Sequence, residues 1–302
     1  MTRKIYYLLL ICSIAIVSIL VYSFKSKNSN HNDYQLSSPE KSYVLPTELN
    51  EISGITILND AEIACVQDEL GMVYIYNLDS SNITKKYQTK LVGDYEGITL
   101  VGSTIYLLRS DGVLVEYPDF KSPNLKIKEY NLNLPSTNNE GLCYDEKNDR
   151  LLIAAKIKAG KGKDNKDTRN IYSFNLKTKK PDNTSILQLN IEDIEAEAIK
   201  KNIAIPYKID KKTGKKVNTF NFRPSEIAIH PINKHIYVLS SRDKLLLIIN
   251  SEGEIKDLIA LDPLLFNKPE GLAFLPDGTM LISNEAQKGK PTLLTFKYEG
   301  IN

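Results

Sequence analysis

A five-residue pattern recurs along the chain at a nearly constant interval, and this repetition restricts the fold more than any other feature. It reads Ser53-Gly54-Ile55-Thr56-Ile57, Glu96-Gly97-Ile98-Thr99-Leu100, Glu140-Gly141-Leu142-Cys143-Tyr144, Ser225-Glu226-Ile227-Ala228-Ile229 and Glu270-Gly271-Leu272-Ala273-Phe274. The leading residues stand 43, 44, 85 and 45 positions apart, so the period is near 44 and one interval is stretched by an insertion. After each pattern and a polar turn comes a second β-type run, at 63–66, 105–108, 151–155, 236–239 and 280–282. A third follows at 72–76, 113–117, 171–174, 245–249 and 293–296, and weaker fourth runs lie at 84–92, 126–134, 186–189 and 255–261. Turn residues separate them, as in Pro276-Asp277-Gly278 and Lys147-Asn148-Asp149. Short strands returning every about 40–45 residues are the mark of propeller blades.

Strand counting then predicts an all-β fold, a five-bladed β-propeller over residues 42–302. The last repeat has only three strands before the chain ends, while Ser42-Tyr43-Val44-Leu45 stands unassigned ahead of the first. This run is expected to supply the outermost strand of the last blade, so that the ring closes without a long unpaired edge. The stretched interval, about 191–222, has helical apolar spacing at Ile191, Ile194 and Ala198, then two β-type runs at 205–209 and 217–220 around Lys212-Thr213-Gly214. It predicts a small helix-hairpin segment between the third and fourth blades, with a degenerate sixth blade as the alternative. The basic, glycine-bearing stretch 158–169 has neither GxxxxGK[ST] nor GxGxxG and follows no βαβ unit, so it reads as a solvated loop rather than a phosphate cradle.

The N-terminus has a different character. Arg3 and Lys4 precede eighteen uncharged residues, 5–22, about the minimum that crosses a bilayer as a helix. Residues 1–24 are expected to form a transmembrane or signal-anchor helix with the N-terminus in the cytoplasm, a cleaved secretory signal being the alternative. Either places the propeller outside the cytoplasm, in the cell envelope. Residues 25–41 hold almost no apolar side chains and read as a flexible linker. The charges, 39 basic against 37 acidic, are spread along the chain, which argues against a nucleic-acid partner. Three cysteines, Cys12, Cys65 and Cys143, all inside apolar runs, make neither a disulfide framework nor a CxxC metal site.

In a propeller the first strand of each blade lines the central channel, so the leading residues of the five patterns come together. Glu96, Glu140 and Glu270 are expected at one mouth, with Ser53 and Ser225 at the same place in the other two blades. Carboxylates gathered in this way repel and have raised pKa values unless a cation stands between them. Oxygen donors without His or Cys favour calcium or magnesium, and a wide, flexible ring suits calcium. The alternative is that each glutamate binds backbone N–H groups of a neighbouring blade. The glycine after each glutamate either permits a special backbone conformation or lets a neighbouring backbone come close. Glu226 stands in the glycine position of its pattern and is either an extra ligand or exposed. Polar second-strand ends, Gln67-Asp68, Arg109-Ser110, Ser240-Ser241 and Asn284-Glu285, are expected around one face, where they could contact a ligand.

With an apolar N-terminal segment ahead of repeats opening "SGI", "EGI", "EGL", "SEI" and "EGL", the chain over about 42–299 resembles the SdiA-regulated family of bacterial envelope proteins. That family is similar to NHL-repeat propellers and, more distantly, to calcium-dependent paraoxonase-like and phytase-like ones. The resemblance implies a five-bladed propeller with a calcium ion at the channel, at positions matching Glu96, Glu140 and Glu270, and it implies no established activity. Two functions follow as expectations. One is a membrane-tethered, calcium-binding propeller that serves as a binding or scaffold module for an unknown small-molecule or protein ligand. The other is a calcium-dependent hydrolase, lactonase, esterase or phytase-like, with its site at the channel mouth. His230 and His235 lie in the turn after the fourth pattern and are poor general bases for such a site, whereas Glu140 is a candidate.

Overall fold

Five four-stranded antiparallel sheets make up the domain, each formed by strands consecutive in sequence except the last. The computed structural model describes residues 33–88, 92–122, 126–136, 138–157, 168–287 and 289–300. β1 is Lys41–Val44; the first blade is β2 (Ile52–Asn59), β3 (Glu62–Gln67), β4 (Met72–Asn77) and β5 (Asn82–Gln88). The second is β6 (Tyr95–Val101), β7 (Thr104–Arg109), β8 (Val113–Tyr117) and β9 (Lys128–Asn131). The third is β10 (Asn139–Asp145), β11 (Arg150–Ala155), β12 (Thr168–Asn175) and β13 (Lys180–Asn190). After α1 (Ile191–Lys200) and a hairpin of β14 (Tyr207–Ile209) and β15 (Lys216–Asn218), the fourth blade is β16 (Glu226–Ile229), β17 (Ile236–Ser240), β18 (Leu245–Ile249) and β19 (Ile255–Ala260). β20 (Pro269–Phe274), β21 (Met280–Asn284) and β22 (Thr292–Phe296) begin the fifth.

β1 completes that blade, pairing antiparallel with β22 from Lys41 opposite Thr295 to Val44 opposite Thr292. The expected closure by the N-terminal run is therefore present. The first strands β2, β6, β10, β16 and β20 pack in a ring, β20 returning to β2. Residues of all five line a common cavity of 150 Å³, including Ile57, Thr99, Cys143, Ile229 and Phe274.

The core lies between the sheets, which explains why strands such as Ile63-Ala64-Cys65-Val66 are apolar throughout rather than alternating. Ile63 and Cys65 face the fifth blade's Ala273, Leu281 and Leu293, while Ala64 and Val66 face the second blade's Ile105 and Leu107. The second and third strands of each blade bury both faces, so period two there selects a neighbour rather than solvent. Cys65 and Cys143 are buried free thiols, and Cys12 lies outside the described residues.

The insertion is a helix and a hairpin, and no sixth four-stranded sheet occurs among the described residues. Asn190 caps α1 by accepting from the Glu192 N–H at 2.9 Å, acids occupy the first turn and Lys200 the last. Ile191, Ile194 and Ala198 form its buried stripe against the core between blades three and four. Each isoleucine contributes about 1.5–3 kcal/mol by burial. The loop 158–167 lies outside the described residues.

The anchor predicted over 1–24 also falls outside the described residues. Among those described, no helix is long and apolar enough to cross a membrane. Of the predicted linker 25–41, residues 33–41 are described, and 36–41 are held against the propeller. Leu36 is buried, Glu40 N–H donates to Thr295 O at 2.8 Å, and Lys41 begins β1. The stretch is polar on average, yet Leu36 supplies apolar surface to bury and the backbone finds a strand to join. Residues 33–35 and 298–300 belong to a second unit, in which the Tyr34 and Tyr298 rings lie 5.5 Å apart and Glu299 N–H donates to Asp33 O.

Candidate functional site at the channel mouth

Each glutamate that leads a repeat, Glu96, Glu140 and Glu270, is the extra residue of a β-bulge. Where β10 meets β11, Asn139 lies opposite Ala155 and Gly141 opposite Ala154, which leaves Glu140 unpaired between them. Tyr95 and Gly97 flank Glu96 in the same way, and Pro269 and Gly271 flank Glu270. A bulge re-aims the side chain it carries, and here it does so at the same point of three blades. The first blade has its register shift between Ile52 and Ile55, around Ser53. The fourth blade is regular there, with Glu226 opposite Leu239 and Ile227 opposite Val238.

The glycine after each bulge serves close approach. Neither Gly97 nor Gly141 has a positive φ. A Cβ on Gly97 would stand 2.8 Å from Glu140 O, and one on Gly141 would stand 2.7 Å from Ile227 N. The first strand of one blade thus rests on the backbone of the next, a contact only a bare Cα permits. Glu226 has a side chain where the others have none, and it is fully buried rather than exposed. Its Oε1 accepts from Leu142 N–H at 2.8 Å and from Ile227 N–H at 2.9 Å, while its buried Oε2 has no hydrogen-bond partner. The backbone-binding role considered for every glutamate is taken by Glu226.

Glu96, Glu140 and Glu270 lie within electrostatic reach of one another. Burial, then the charges of Glu140, Asp94 and Glu270, push the Glu96 carboxyl up to about 9. Glu140 is raised to about 7 by burial, although Lys156 Nζ lies 2.6 Å from its Oε1. Burial also raises Glu270, against the pull of Lys268 at 3.6 Å and of Lys156. Glu226 is raised well above the carboxylate range, chiefly by burial and further by Glu270 and Glu140. Burial disfavours the charge on Lys156, yet Glu140, Glu270 and Glu96 together hold its pKa high.

The two serines take no such part. Ser53 Oγ donates to Glu51 O at 3.4 Å, and Ser225 Oγ donates to Leu239 O at 3.3 Å and accepts from Ser241 N–H at 3.1 Å. The second-strand ends do border the mouth. N–H groups of Asp68, Ser110, Lys156 and Glu285 donate to the carbonyls of Glu51, Asp94, Asn138 and Lys268, each two residues before its repeat motif. Burial and the charges of Glu51, Glu285 and Asp94 raise Asp68 to about 6. Lys268 is also paired with Glu285. The mouth is therefore acidic over blades one and two, with Lys156 and Arg223 on blades three and four.

Lys156, Lys268 and Asp94 were not among the sequence candidates. Lys156 occupies the place of Asp68, Ser110, Ser241 and Glu285 after the second strand, so alignment of the repeats at that column finds it; its contact with Glu140 does not show in the pattern. His230 is no base for this site. Its Nδ1 accepts from the N–H groups of Ile232 and Asn233, both at 3.1 Å, and burial lowers its pKa to about 4.

The donor set of carboxylate oxygens suits a hard cation in chemistry, and the high pKa of Glu96 reflects burial first and the neighbouring carboxylates second, which Lys156 only partly offsets. The arrangement is not a preformed cage: among the described residues no three His, Cys, Asp or Glu side chains converge to hold a metal ion. Lys156 and Lys268 already lie against two of the three glutamates.

Comparison with known proteins agrees with this architecture. The sequence model of the SdiA-regulated family matches residues 27–288. No curated protein matches the chain in sequence. Among solved structures, a glutaminyl cyclase from Myxococcus xanthus is similar at 14% identity, with a TM-score of 0.56, over 88% of this chain and 97% of that one. A luciferin-regenerating enzyme is similar at 13% identity, with a TM-score of 0.51, over 88% and 97% of the two chains. At such identities the likeness concerns the fold.

Proposed function

We propose, for a chain that belongs to the SdiA-regulated family, that it is a membrane-tethered binding module of the cell envelope whose channel mouth takes calcium. The observation that carries the reading is Glu96: a largely buried carboxyl, raised to about 9 by burial and by Glu140, Asp94 and Glu270, at the acidic side of a mouth built by bulges. Glu96, Glu140 and Glu270 would hold the ion, and the ion would neutralise their mutual repulsion. Because Lys156 already serves Glu140, calcium has to compete with an ammonium, and binding is expected to be modest and to release protons. The apolar segment 5–22 supports the tether and with it a propeller outside the cytoplasm.

The test is a thermal melt of the full chain in mild detergent, with calcium or with chelator. Calcium should raise the melting temperature by mass action, and Glu96→Gln should abolish the shift. A melting temperature indifferent to calcium sinks the reading.

A second reading, a calcium-dependent hydrolase of lactone, ester or phosphate substrates, is favoured by Glu140 alone. Its pKa of about 7 suits a general base that takes a proton from water near neutral pH. Bound calcium would supply polarisation of a substrate oxygen. Turnover of an aryl ester or lactone lost in Glu140→Gln would support it.

A further inference from the structure

The insertion between the third and fourth blades carries a hairpin that is exposed on both faces: every residue of β14 and β15 is open to solvent. Tyr207 lies opposite Asn218 and Ile209 opposite Lys216. Tyr207 and Ile209 therefore share one face with Lys216, whose Nζ lies 4.1 Å from the centre of the Tyr207 ring. Lys208 and Val217, opposite each other, occupy the second face. A two-stranded hairpin has little stability of its own in water, yet more than half of the Tyr207 and Ile209 surface is uncovered here.

The charge of this hairpin is one-sided. Between Tyr207 and Val217 stand Lys208, Lys211, Lys212, Lys215 and Lys216 against a single acid, Asp210. None of the five lysines makes an ion pair among the described residues. Asp210 is committed to the turn, where its Oδ1 accepts from the N–H groups of Lys212 and Thr213 and from Thr213 Oγ1. The acids of α1 are occupied elsewhere. Glu192 and Asp193 stand in its first turn, Glu195 accepts from Asn218 Nδ2 at the base of the hairpin, and Glu197 is paired with Lys200. The acids around Asp68 at the mouth sit on blades one, two and five, whereas the hairpin is inserted between blades three and four.

Unpaired lysines beside exposed aromatic and aliphatic side chains suit the surface of an anionic bilayer, where ammonium groups meet lipid phosphates and the apolar groups enter the headgroup region. Only residues 23–32 separate the apolar segment 5–22 from Asp33, and a stretch of that length reaches at most about 35 Å, so a tethered propeller stays close to the bilayer. We infer that the hairpin is a docking surface for an anionic lipid bilayer, with Lys211, Lys212 and Lys215 facing lipid phosphates and Tyr207 and Ile209 entering the headgroups. The inference rests on the proposed tether for the nearness of the bilayer and is independent of calcium.

Because the chain has no tryptophan, Tyr207→Trp makes the hairpin visible by fluorescence. The full-length variant is reconstituted, with chelator present, into vesicles of phosphatidylcholine alone or mixed with phosphatidylglycerol; a third sample has phosphatidylcholine vesicles and added poly-L-glutamate. Emission should move to shorter wavelength with phosphatidylglycerol and stay in place with phosphatidylcholine. Raising salt to about 1 M, where the Debye length falls to about 3 Å, should weaken the shift. Combining Lys211→Gln, Lys212→Gln and Lys215→Gln should abolish it and leave the melting temperature unchanged, since these side chains make no ion pair among the described residues. Ile232→Trp, in the turn between β16 and β17, should show no shift. The inference is overturned if emission is the same in both kinds of vesicle, or if the triple lysine variant shifts as the parent does. A shift with poly-L-glutamate but not with phosphatidylglycerol overturns it in favour of an acidic polypeptide partner. Flotation with phosphatidylcholine alone judges the tether, so its failure is distinguishable from failure of the hairpin.

Discussion

Glu226 in the fourth blade accepts the backbone N–H of Leu142 in the third, 2.8 Å away, so a buried carboxyl ties two blades together at the channel. Burial raises its pKa well above the ordinary carboxylate value, with Glu270 and Glu140 pushing the same way. Glu226→Gln keeps an acceptor oxygen and should be nearly neutral. Glu226→Ala strands the N–H groups of Leu142 and Ile227 and should cost about 1–3 kcal/mol in urea unfolding. Equal losses in the two variants would remove the tie from the account.

The tight glycines make a second prediction. Gly97→Ala puts a methyl 2.8 Å from Glu140 O, and the inner strands of blades two and three must separate to admit it. Overpacking of this kind costs about 1–3 kcal/mol. Because the displaced backbone carries Glu140, the calcium-induced rise in melting temperature should shrink as well. Alanine tolerated at this position without loss would show that the blades do not meet as closely as described.

Stability should fall as pH rises. Unfolded, Glu96 ionises near 4.5, whereas in the folded chain it holds its proton to about 9. The folded state thus binds more protons across that interval, and its advantage is complete below the lower value and lost towards the upper one. Glu140 adds a contribution of the same sign up to about 7. Melting temperatures measured with chelator from pH 5 to 9 should decline, and Glu96→Gln should flatten the decline and melt higher than the parent at the alkaline end.

Closure by β1 is testable by truncation. Removing residues 1–45 rather than 1–32 exposes the edge of β22 and deletes Leu45, whose N–H donates to Pro291 O at 2.9 Å and whose side chain is buried. Loss of that side chain alone costs about 1.5–3 kcal/mol. The shorter chain should melt lower and associate through its open edge, seen as larger species in gel filtration.

Several things were legible in the residues alone. The spacing of the five motifs determined the number of blades. The shortage of a strand after Glu270 determined that the run at Ser42 must close the ring. Ile191, Ile194 and Ala198 at helical spacing determined the helix of the insertion and its buried face. These are properties of local periodicity, which the chain carries wherever it folds. What surrounds a charge is not such a property. That Glu226 faces inward to Leu142 and that Lys156 lies against Glu140 follow from bulges and from blades meeting in three dimensions. Only the tertiary structure decided them, because burial and the charges of residues distant in sequence set both the direction of these side chains and their protonation.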